Sequence, residues 1–372
     1  MADKSILYLT PALPIGGAEK FLVLLANSLE KEFISQTVIS LSSDNKLQTD
    51  FTRSVKFTAL PRTSRFDTAP LKILRKLIRK EKPDIIFCLN FYSFLYAKLA
   101  LWRTGLKPFV VISYHSTIHE NRKEKFLHRI YARLINKNNL IITVSSNQEK
   151  YTISKYHIPA ARFKTIHNGI DLNYWHLPSL SWAKRNIRDE YGIPENAPVI
   201  IMTAAFRPEK NHLGAIKSLQ LLHSDFQYKA YLLFVGEGTL YEHCRKVVKE
   251  KNMEEFIKFT GAVKDVRPFY WASDMFTLCS TSVETFSIAA LEAMACGLSS
   301  VLTNIGGAAE MIVEGVNGYL CETDDVQIAG AWFKALNTNF SAQQISNYIR
   351  NNFGADKMIA DYKKALRINT SH

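Results

Sequence analysis

The stretch Asp274–Glu310, DMFTLCSTSVETFSIAALEAMACGLSSVLTNIGGAAE, decides the fold of this 372-residue chain. An apolar run at 275–279 breaks at the polar triplet 280–282. A helical pattern then runs from 286 to 297, and a second apolar run leads into the glycine pair 306–307. The pattern predicts a strand, a loop, a helix, a second strand and a glycine loop.

Two carboxylates flank the start of the predicted helix. Glu284 and Glu292 are eight residues apart, and the backbone N–H groups of Phe286, Ser287 and Ile288 lie between them. The first N–H groups of a helix have no intrahelical acceptor, so they can bind an anion. Ionised carboxylates only accept hydrogen bonds, which suits hydroxyl-rich ligands. A phosphorylated polyol such as a sugar nucleotide meets both conditions, although acids at this spacing also occur on ordinary surface helices.

Three motifs extend this pattern, in the order Glu284-x-Phe286-Ser287-x4-Glu292-Ala-Met-Ala-x-Gly297, Gly306-Gly307-x-x-Glu310 and Gly315-x-x-Gly318. They resemble the donor half of the family 4 retaining glycosyltransferases. The resemblance covers nearly the whole chain and is most specific between residues 204 and 320. It implies an α/β fold of GT-B type, with two Rossmann-like doubly wound domains facing across a crevice. It also implies that Glu284 contacts the hydroxyls of the donor sugar and Glu292 those of the ribose. The family often has glycine where this chain has Ser287.

A basic pair follows the first predicted strand of the second domain, at 199–204. Arg207 and Lys210 stand at the end of this strand and beside a helix start, as a clamp for a diphosphate would. Fixed cations there would stabilise the charge that grows on a leaving nucleotide diphosphate. In much of the family the arginine stands two residues earlier, where this chain has Ala205.

Four glycines and a valine complete the predicted donor site. Gly16 and Gly17 follow the first strand, and Gly236 and Gly238 follow the strand 231–235; all four would allow a ligand to approach the backbone, or would simply form tight turns. The resemblance implies that the residues after Gly261, including Val263, hold the base through their backbone.

The first half of the chain alternates apolar runs with helical patterns, which indicates a parallel sheet covered by helices on both faces. It lacks the G-x-G-x-x-G fingerprint, which disfavours a nicotinamide or flavin enzyme. His115 follows the strand 109–113 at the edge where ligands bind. The resemblance assigns a histidine or acid near here to the donor sugar or the acceptor, while a lone histidine is otherwise usually structural.

An Asn-Gly turn at 168–169 predicts the domain boundary. We expect an acceptor-binding domain at 1–168 and a donor-binding domain at 169–354. The resemblance implies that a last helix, at about 355–372, crosses back onto the first domain.

Composition predicts neither a metal nor a cofactor. The five cysteines have no paired spacing, no Asp-x-Asp triplet occurs, and a metal pair of His115 and His119 is disfavoured. The short apolar start does not resemble a signal peptide, and the run 85–102 is interrupted by polar residues, so we expect no membrane span. We therefore expect a cytoplasmic protein that associates peripherally with the cytoplasmic membrane.

The excess of positive charge is confined to the first half of the chain. Residues 1–170 carry 27 Lys and Arg against 12 Asp and Glu, a balance of +15, whereas residues 171–372 carry 20 against 22, a balance of −2. We expect an anionic membrane surface to be a partner. Two segments are candidates: 71–82, an apolar stripe among cations, and the row Lys125, Arg129, Arg133 and Lys137. Both could also be solvated helix faces. No nucleic-acid module is recognisable, so nucleic acid is not expected to bind.

The leading hypothesis is a metal-independent hexosyltransferase that moves a sugar from a nucleotide-sugar donor, a UDP-sugar, to a hydroxyl of a glycan or lipid-linked acceptor. Its product would belong to cell-surface polysaccharide or lipopolysaccharide synthesis. The alternatives are a sugar-nucleotide epimerase of the same fold, which needs no acceptor, and a non-catalytic protein that binds polyanions.

Overall fold

The computed structural model describes residues 4–30, 35–62, 67–115, 130–178, 182–282 and 284–368. The chain divides into two compact units, and the division falls between Asn168 and Gly169. The first unit comprises Met1–Asn168 and Met358–His372, and the second comprises Gly169–Lys357.

Each unit is built on one parallel sheet. The strands are β1 Ser5–Thr10, β2 Ser35–Ser40, β3 Lys56–Ala59, β4 Ile85–Cys88, β5 Phe109–Tyr114, β6 Asn139–Thr143, β7 Phe163–Thr165, β8 Val199–Thr203, β9 Tyr231–Val235, β10 Ile257–Phe259, β11 Met275–Leu278, β12 Ser299–Thr303 and β13 Gly318–Cys321. The first sheet has the order β3-β2-β1-β4-β5-β6-β7, and the second has the order β10-β9-β8-β11-β12-β13.

Helices connect the strands. They are α1 Gly17–Leu29, α2 Ala69–Glu81, α3 Phe91–Leu101, α4 Ser146–Tyr156, α5 Trp182–Glu190, α6 His212–Ser224, α7 Tyr241–Glu250, α8 Arg267–Ala272, α9 Ile288–Ala295, α10 Asp325–Leu336, α11 Ala342–Phe353 and α12 Ala355–Ala365. Along the part of the chain that the structure describes, none of the helices combines the length and the apolar character needed to cross a bilayer.

The first sheet is buried on both faces. Ile6 and Tyr8 of β1 belong to one buried cluster, whereas Leu7 and Leu9 belong to another. Successive strand residues point to opposite faces, so two separate clusters mean that helices cover both sides, as in a doubly wound fold. The predicted α/β class is therefore confirmed.

The end of α12 completes the first of these clusters. Tyr362 is buried there, its ring lies 5.2 Å from that of Phe21, and its hydroxyl is 3.3 Å from Ser113 Oγ. The C-terminal segment from Met358 onwards thus supplies part of the core of the first unit.

The structure differs from the predicted elements in the second unit. Gly318–Cys321 forms the edge strand β13, for which the sequence pattern gave no prediction. Its apolar run is too short to be distinguished from a loop. The helix α5 precedes the predicted first strand of the second domain, in a stretch for which no element was predicted. Among the residues of α5 whose burial is described, 185–190, only the charged Arg188 is buried, so apolar periodicity does not indicate this helix.

The apolar stripe of α2 packs inward. Leu74 and Ile78 are fully buried, and Leu71 and Leu77 pack against the same core cluster. The stripe therefore serves the core and is not available to a membrane, whereas most cations of this helix remain exposed.

Candidate functional site

The candidate site of the second unit lies where its strand order reverses. The chain runs outward in one direction from β8 to β9 and β10, and in the other direction from β11 to β12 and β13. Ligands of parallel α/β sheets bind beyond the carboxyl ends of the strands at this switch point. The loops that follow β8 and β11 are therefore the expected location of a ligand site.

The loop after β8 is rigidly anchored. Phe206 is fully buried and its ring stacks on that of His212 at 3.9 Å. Asn211 adopts a left-handed conformation, with φ of 58°, and its side chain accepts a hydrogen bond from the backbone N–H of Gly214 to cap α6. Asparagine tolerates this conformation better than most residues. Lys210, immediately before the cap, is thereby held in a fixed place.

Lys210 and Glu284 form an ion pair that joins the two loops. Lys210 Nζ lies 2.6 Å from Glu284 Oε2, and the two side chains are only 23% and 14% exposed. Ser280 Oγ donates to the same carboxylate oxygen at 3.2 Å, and the N–H of Thr281 donates to Glu209 O at 2.9 Å. The structure thus brings together two predicted site residues that are 74 positions apart.

The glycine loop after β12 packs directly on Glu284. Gly306 has φ of 62°, and a Cβ atom added there would lie 1.4 Å from the carbonyl oxygen of Glu284. No other residue fits so close to a neighbouring backbone. Gly306 therefore helps to fix the position of the acid, a role that its place in the sequence does not reveal.

The helix after Glu284 begins two residues later than predicted. Ile288 is the first residue of α9, and Ser287 is its N-cap, whose Oγ accepts from the N–H of Ala290 at 3.2 Å. Serine is a preferred cap, which explains the shift. The Phe286 side chain is buried against Phe353, with ring centroids 5.5 Å apart, so only its backbone could contact a ligand.

Glu292 lies further along α9, beside two phenols. Burial, and after it the Glu292 carboxylate, raises the pKa of Tyr270 well above its ordinary value. The same carboxylate contributes, after burial and Asp265, to raising the pKa of Tyr174. Both phenols therefore stay protonated and can act as hydrogen-bond donors.

Arg207 stands apart from the ion pair. Its side chain is exposed, and among the described residues no hydrogen bond or ion pair engages it. The Arg207 guanidinium is therefore accessible to an incoming anion, as its predicted role in the clamp requires.

Close packing against a neighbouring loop requires glycine at positions 236 and 238. Cβ atoms at these positions would lie 2.2 Å from Ala204 O and 2.6 Å from Phe206 O. The two glycines let the loop after β9 contact the loop that carries Lys210. Val263 lies half-buried in the loop after β10.

The predicted residues of the first unit share one edge of its sheet. Gly16 caps α1 after β1, and His115 follows β5. The His115 ring lies 4.4 Å from that of Phe21 in α1, and its Nε2 shares a 2.8 Å hydrogen bond with Ser113 Oγ. Burial lowers the pKa of His115 to about 3, so it is neutral near pH 7.

The Glu19 carboxylate lies close to Gly16 at the start of α1. A Cβ atom on Gly16 would lie 2.3 Å from Glu19 Oε2, so Gly16 leaves room for the carboxylate to fold back over the helix start. Burial raises the pKa of Glu19. Gly17 is the first residue of α1.

Three predicted residues, His119, Lys125 and Arg129, lie outside the described part of the chain. Within the described ranges, no group of three or more His, Cys, Asp or Glu side chains is placed to hold a metal ion.

Two family models match the chain. The model described as Glycosyltransferase Family 4 matches residues 15–174, and that described as Glycosyl transferases group 1 matches residues 183–352. The chain belongs to the family 4 glycosyltransferases.

Curated relatives of this family 4 glycosyltransferase share a quarter to a third of the aligned residues. N-acetyl-alpha-D-glucosaminyl L-malate synthase of Bacillus anthracis is 31% identical over 167 residues, which span 45% of this chain but only 42% of that protein. UDP-Gal:alpha-D-GlcNAc-diphosphoundecaprenol alpha-1,3-galactosyltransferase of Escherichia coli is 24% identical over 70% of this chain and 68% of its own length. GalNAc-alpha-(1->4)-GalNAc-alpha-(1->3)-diNAcBac-PP-undecaprenol alpha-1,4-N-acetyl-D-galactosaminyltransferase of Campylobacter jejuni is 24% identical, with 92% of each chain aligned.

Solved structures confirm the GT-B fold of the family 4 glycosyltransferase. Anabaena HepE in complex with UDP superposes with a TM-score of 0.83 at 18% identity, covering 98% of this chain and 99% of that one. A glycosyltransferase from Rickettsia africae superposes with a TM-score of 0.82 at 20% identity over the full length of both chains.

Proposed function

We propose that this family 4 glycosyltransferase transfers a hexose from a UDP-sugar to a hydroxyl of a glycan or lipid-linked acceptor, with retention of the anomeric configuration. The observation that carries the proposal is the Lys210–Glu284 ion pair at the switch point of the second sheet. It puts a cation and a hydrogen-bond acceptor side by side, as a phosphorylated sugar requires.

The donor would rearrange this ion pair. A diphosphate carries more charge than one carboxylate, so it would compete with Glu284 for Lys210. Glu284, still held from behind by Ser280 and by the backbone packing of Gly306, would then accept hydrogen bonds from the sugar hydroxyls. Arg207, an exposed residue of the same loop, would supply the second cation.

Other groups at the same edge of the sheet would contact the nucleoside and the sugar. Glu292 would accept from the ribose hydroxyls, and the backbone around Val263 would meet the base. The N–H groups at the start of α9, from Ser287 to Ile288, would face a phosphate or the sugar. The loops with Gly236 and Gly238 would hold Lys210 in position.

Catalysis would consist of stabilising the leaving group. As the glycosidic bond breaks, negative charge develops on the UDP, and Lys210 with Arg207 would stabilise that charge more than the ground state. We infer no covalent nucleophile. The acceptor hydroxyl would attack from the face that UDP leaves, and the departing phosphate would take its proton. Cationic side chains in the clamp are the reason to propose that no divalent metal is needed.

The acceptor would bind to the first unit, near His115. His115 is neutral near pH 7 because of burial, so it would act as a hydrogen-bonding group and not as a cation. The names of the Escherichia coli and Campylobacter jejuni relatives support an undecaprenol-linked acceptor. An anionic membrane surface would then be a partner, and surface polysaccharide or lipopolysaccharide synthesis the setting.

The test is a panel of UDP-sugars and GDP-sugars incubated with and without a lipid-linked glycan, followed by nucleotide release and by NMR of the product. The proposal predicts acceptor-dependent release of UDP and an anomeric configuration equal to that of the donor. Epimerised donor without acceptor would support the epimerase alternative. An intact donor under all conditions would support a binding protein.

A further inference from the structure

A guanidinium is held at the carboxyl edge of the first sheet by a phenol from another loop. Arg62 follows β3, Tyr92 stands in the first turn of α3, and Arg62 Nη1 donates to the Tyr92 hydroxyl oxygen at 2.6 Å. The strand order β3-β2-β1-β4 separates these two loops by two strands. Their contact therefore lies at the edge where ligands of parallel α/β sheets bind.

Both residues stand on anchored backbone. The N–H of Leu60, two residues before Arg62, donates to Ser40 O of β2 at 2.7 Å, and the Leu60 side chain is buried. Asn90 caps α3 by accepting a hydrogen bond from the N–H of Ser93 at 2.9 Å. The cation and its phenol are thus held in fixed positions, as a binding site requires.

The groups packed around the guanidinium are largely uncharged. The rings of Tyr92 and Tyr96 lie 5.1 Å apart, and the Arg62 guanidinium carbon lies 5.7 Å from the centre of the Tyr96 ring. Burial raises the pKa of Tyr96 to about 12, so this phenol is uncharged near pH 7. The hydrogen bond with Tyr92 raises the pKa of Arg62 most, and the charge of Asp67 raises it least. The two phenols therefore orient the guanidinium without cancelling its positive charge.

The start of α3 also packs on the strand that leads to His115. The Phe91 ring is 3% exposed and lies 5.0 Å from the ring of Tyr114, the last residue of β5. Phe91 and Tyr92 are neighbours, so α3 connects the contact of Arg62 with the strand end that carries His115. Both lie at the edge where the acceptor is proposed to bind.

We propose that Arg62 binds a phosphate group of the acceptor, in a glycan that is joined to its lipid through phosphate or diphosphate, and that Tyr92 is the positioning residue that orients Arg62. A guanidinium presents five N–H donors in a planar fork that matches two oxygen atoms of one phosphate. The inference rests on the proposed function, since it concerns the acceptor of that reaction. It adds the chemical class of the acceptor and a residue that selects it.

Two acceptors with the same terminal sugar test the proposal, one joined to a decyl chain through diphosphate and the other a decyl glycoside without phosphate. Arg62→Gln should raise the KM for the diphosphate acceptor by roughly tenfold to a hundredfold, because a charge-assisted contact with the bound acceptor is lost. Its KM for the decyl glycoside should equal that of the wild type. Equal increases for both acceptors would mean that Arg62 only supports the fold, and would overturn the proposal.

Three further variants separate charge from structure. Arg62→Lys keeps the charge but not the planar fork, so its KM for the diphosphate acceptor should rise less than that of Arg62→Gln. Tyr92→Phe removes the positioning hydrogen bond and should raise the same KM by an intermediate factor, again without an effect on the decyl glycoside.

The matched control is Arg162→Gln. Arg162 is a half-buried arginine of the first unit that donates to Lys137 O at 3.2 Å, and it precedes β7 at the opposite edge of the sheet. Its kinetics should match those of the wild type with both acceptors. A loss equal to that of Arg62→Gln would show that the total charge of the unit, and not this site, attracts the acceptor.

Direct binding separates this inference from the proposed function. Isothermal titration calorimetry with geranyl diphosphate, in saturating UDP to occupy the donor site, should show wild-type binding that weakens at least tenfold in Arg62→Gln, whereas geraniol should not distinguish the two proteins. Binding that depends on Arg62 without any sugar transfer would contradict the proposed function alone. Acceptor-dependent transfer together with equal binding of geranyl diphosphate by both proteins, or with none by the wild type, would contradict this inference alone.

Discussion

At the scale of single residues, the candidate site is built around an ion pair of two side chains. Lys210 and Glu284 are both mostly buried, so each loses a partner when the other is changed. Ser280 is a further hydrogen-bond donor to the acid. A substitution at either position therefore affects the placement of the remaining group as well as its own contact.

Lys210→Ala should lower kcat more than it weakens donor binding, since the diphosphate gains charge toward the transition state. A lost charge-assisted contact of this kind costs about 2–4 kcal/mol, or roughly a hundredfold in rate. Glu292→Ala should instead raise the KM for the donor, because the proposed ribose contact would be made in both the ground state and the transition state. Steady-state kinetics measures both variants.

The control for Lys210→Ala is Lys217→Ala, which also removes a lysine paired with an acid, at 2.7 Å from Asp325, but at a more exposed position. Its kinetics should match those of the wild type. An identical pattern of kcat and KM in Lys210→Ala and Glu292→Ala would contradict the division of roles.

Gly306→Ala should reduce kcat by more than tenfold, because the added methyl group would collide with the carbonyl of Glu284 and displace the acid. Gly315→Ala is the matched control. Gly315 also has a positive φ, of 75°, but its Cβ would meet nothing within 4 Å. Both variants bear a similar backbone strain of about 1–2 kcal/mol. Equal activity in the two would show that Gly306 does not position Glu284.

At the scale of elements, α5 is attached to the second sheet by one buried cation. Arg188 is 2% exposed and donates to the carbonyls of Ala272, Pro194, Glu195 and Ala197 and to Asp274 Oδ2, at 2.8–3.1 Å. Asp274 also accepts from the N–H of Val199. The network joins α5 to the starts of β8 and β11, the two strands whose far ends carry Lys210 and Glu284.

Arg188→Met should lower the free energy of unfolding of the second unit by about 3–5 kcal/mol, because it removes the buried cation paired with Asp274 and the donor to four carbonyls. Arg185→Met on the same helix breaks an ion pair with Glu195 whose side chains are 67% and 69% exposed, so it should lower the free energy of unfolding far less than Arg188→Met does. Urea denaturation followed by circular dichroism compares them. Similar losses in both variants would contradict the network.

The sequence predicts the elements of this fold better than it predicts the contacts between their loops. Apolar runs place β9 and β11 within a residue, because buried parallel strands read as continuous apolar stretches. The same rule misses β13, whose apolar run is too short, and gives no sign of Arg188. The ion pair of Lys210 with Glu284 lies beyond sequence periodicity, since only the pairing of β8 with β11 brings the two loops together.

At the scale of the whole molecule, the two units carry different charge. The excess of cations lies in the first half of the chain, and the second half is nearly balanced. Each cation near an anionic leaflet contributes roughly 1 kcal/mol, so a handful would suffice for peripheral binding. This uneven distribution of charge favours the proposal that the first unit binds the acceptor and the membrane and that the second unit binds the donor.

Transfer should continue in the presence of EDTA, because cationic side chains and a helix start would take the place of a metal on the diphosphate. Nucleotide release is measured with and without the chelator. Loss of most activity in EDTA, restored by manganese, would contradict metal independence without affecting the assignment of Lys210.

The most direct test of the central claim is the rate of UDP release from a UDP-sugar with and without a lipid-linked glycan acceptor, for the wild type, Lys210→Ala and Lys217→Ala. We predict release that depends on the acceptor, that falls roughly a hundredfold in Lys210→Ala, and that is unchanged in Lys217→Ala. Release that is independent of the acceptor, or that is equal in Lys210→Ala and the wild type, would contradict glycosyl transfer at the Lys210–Glu284 site.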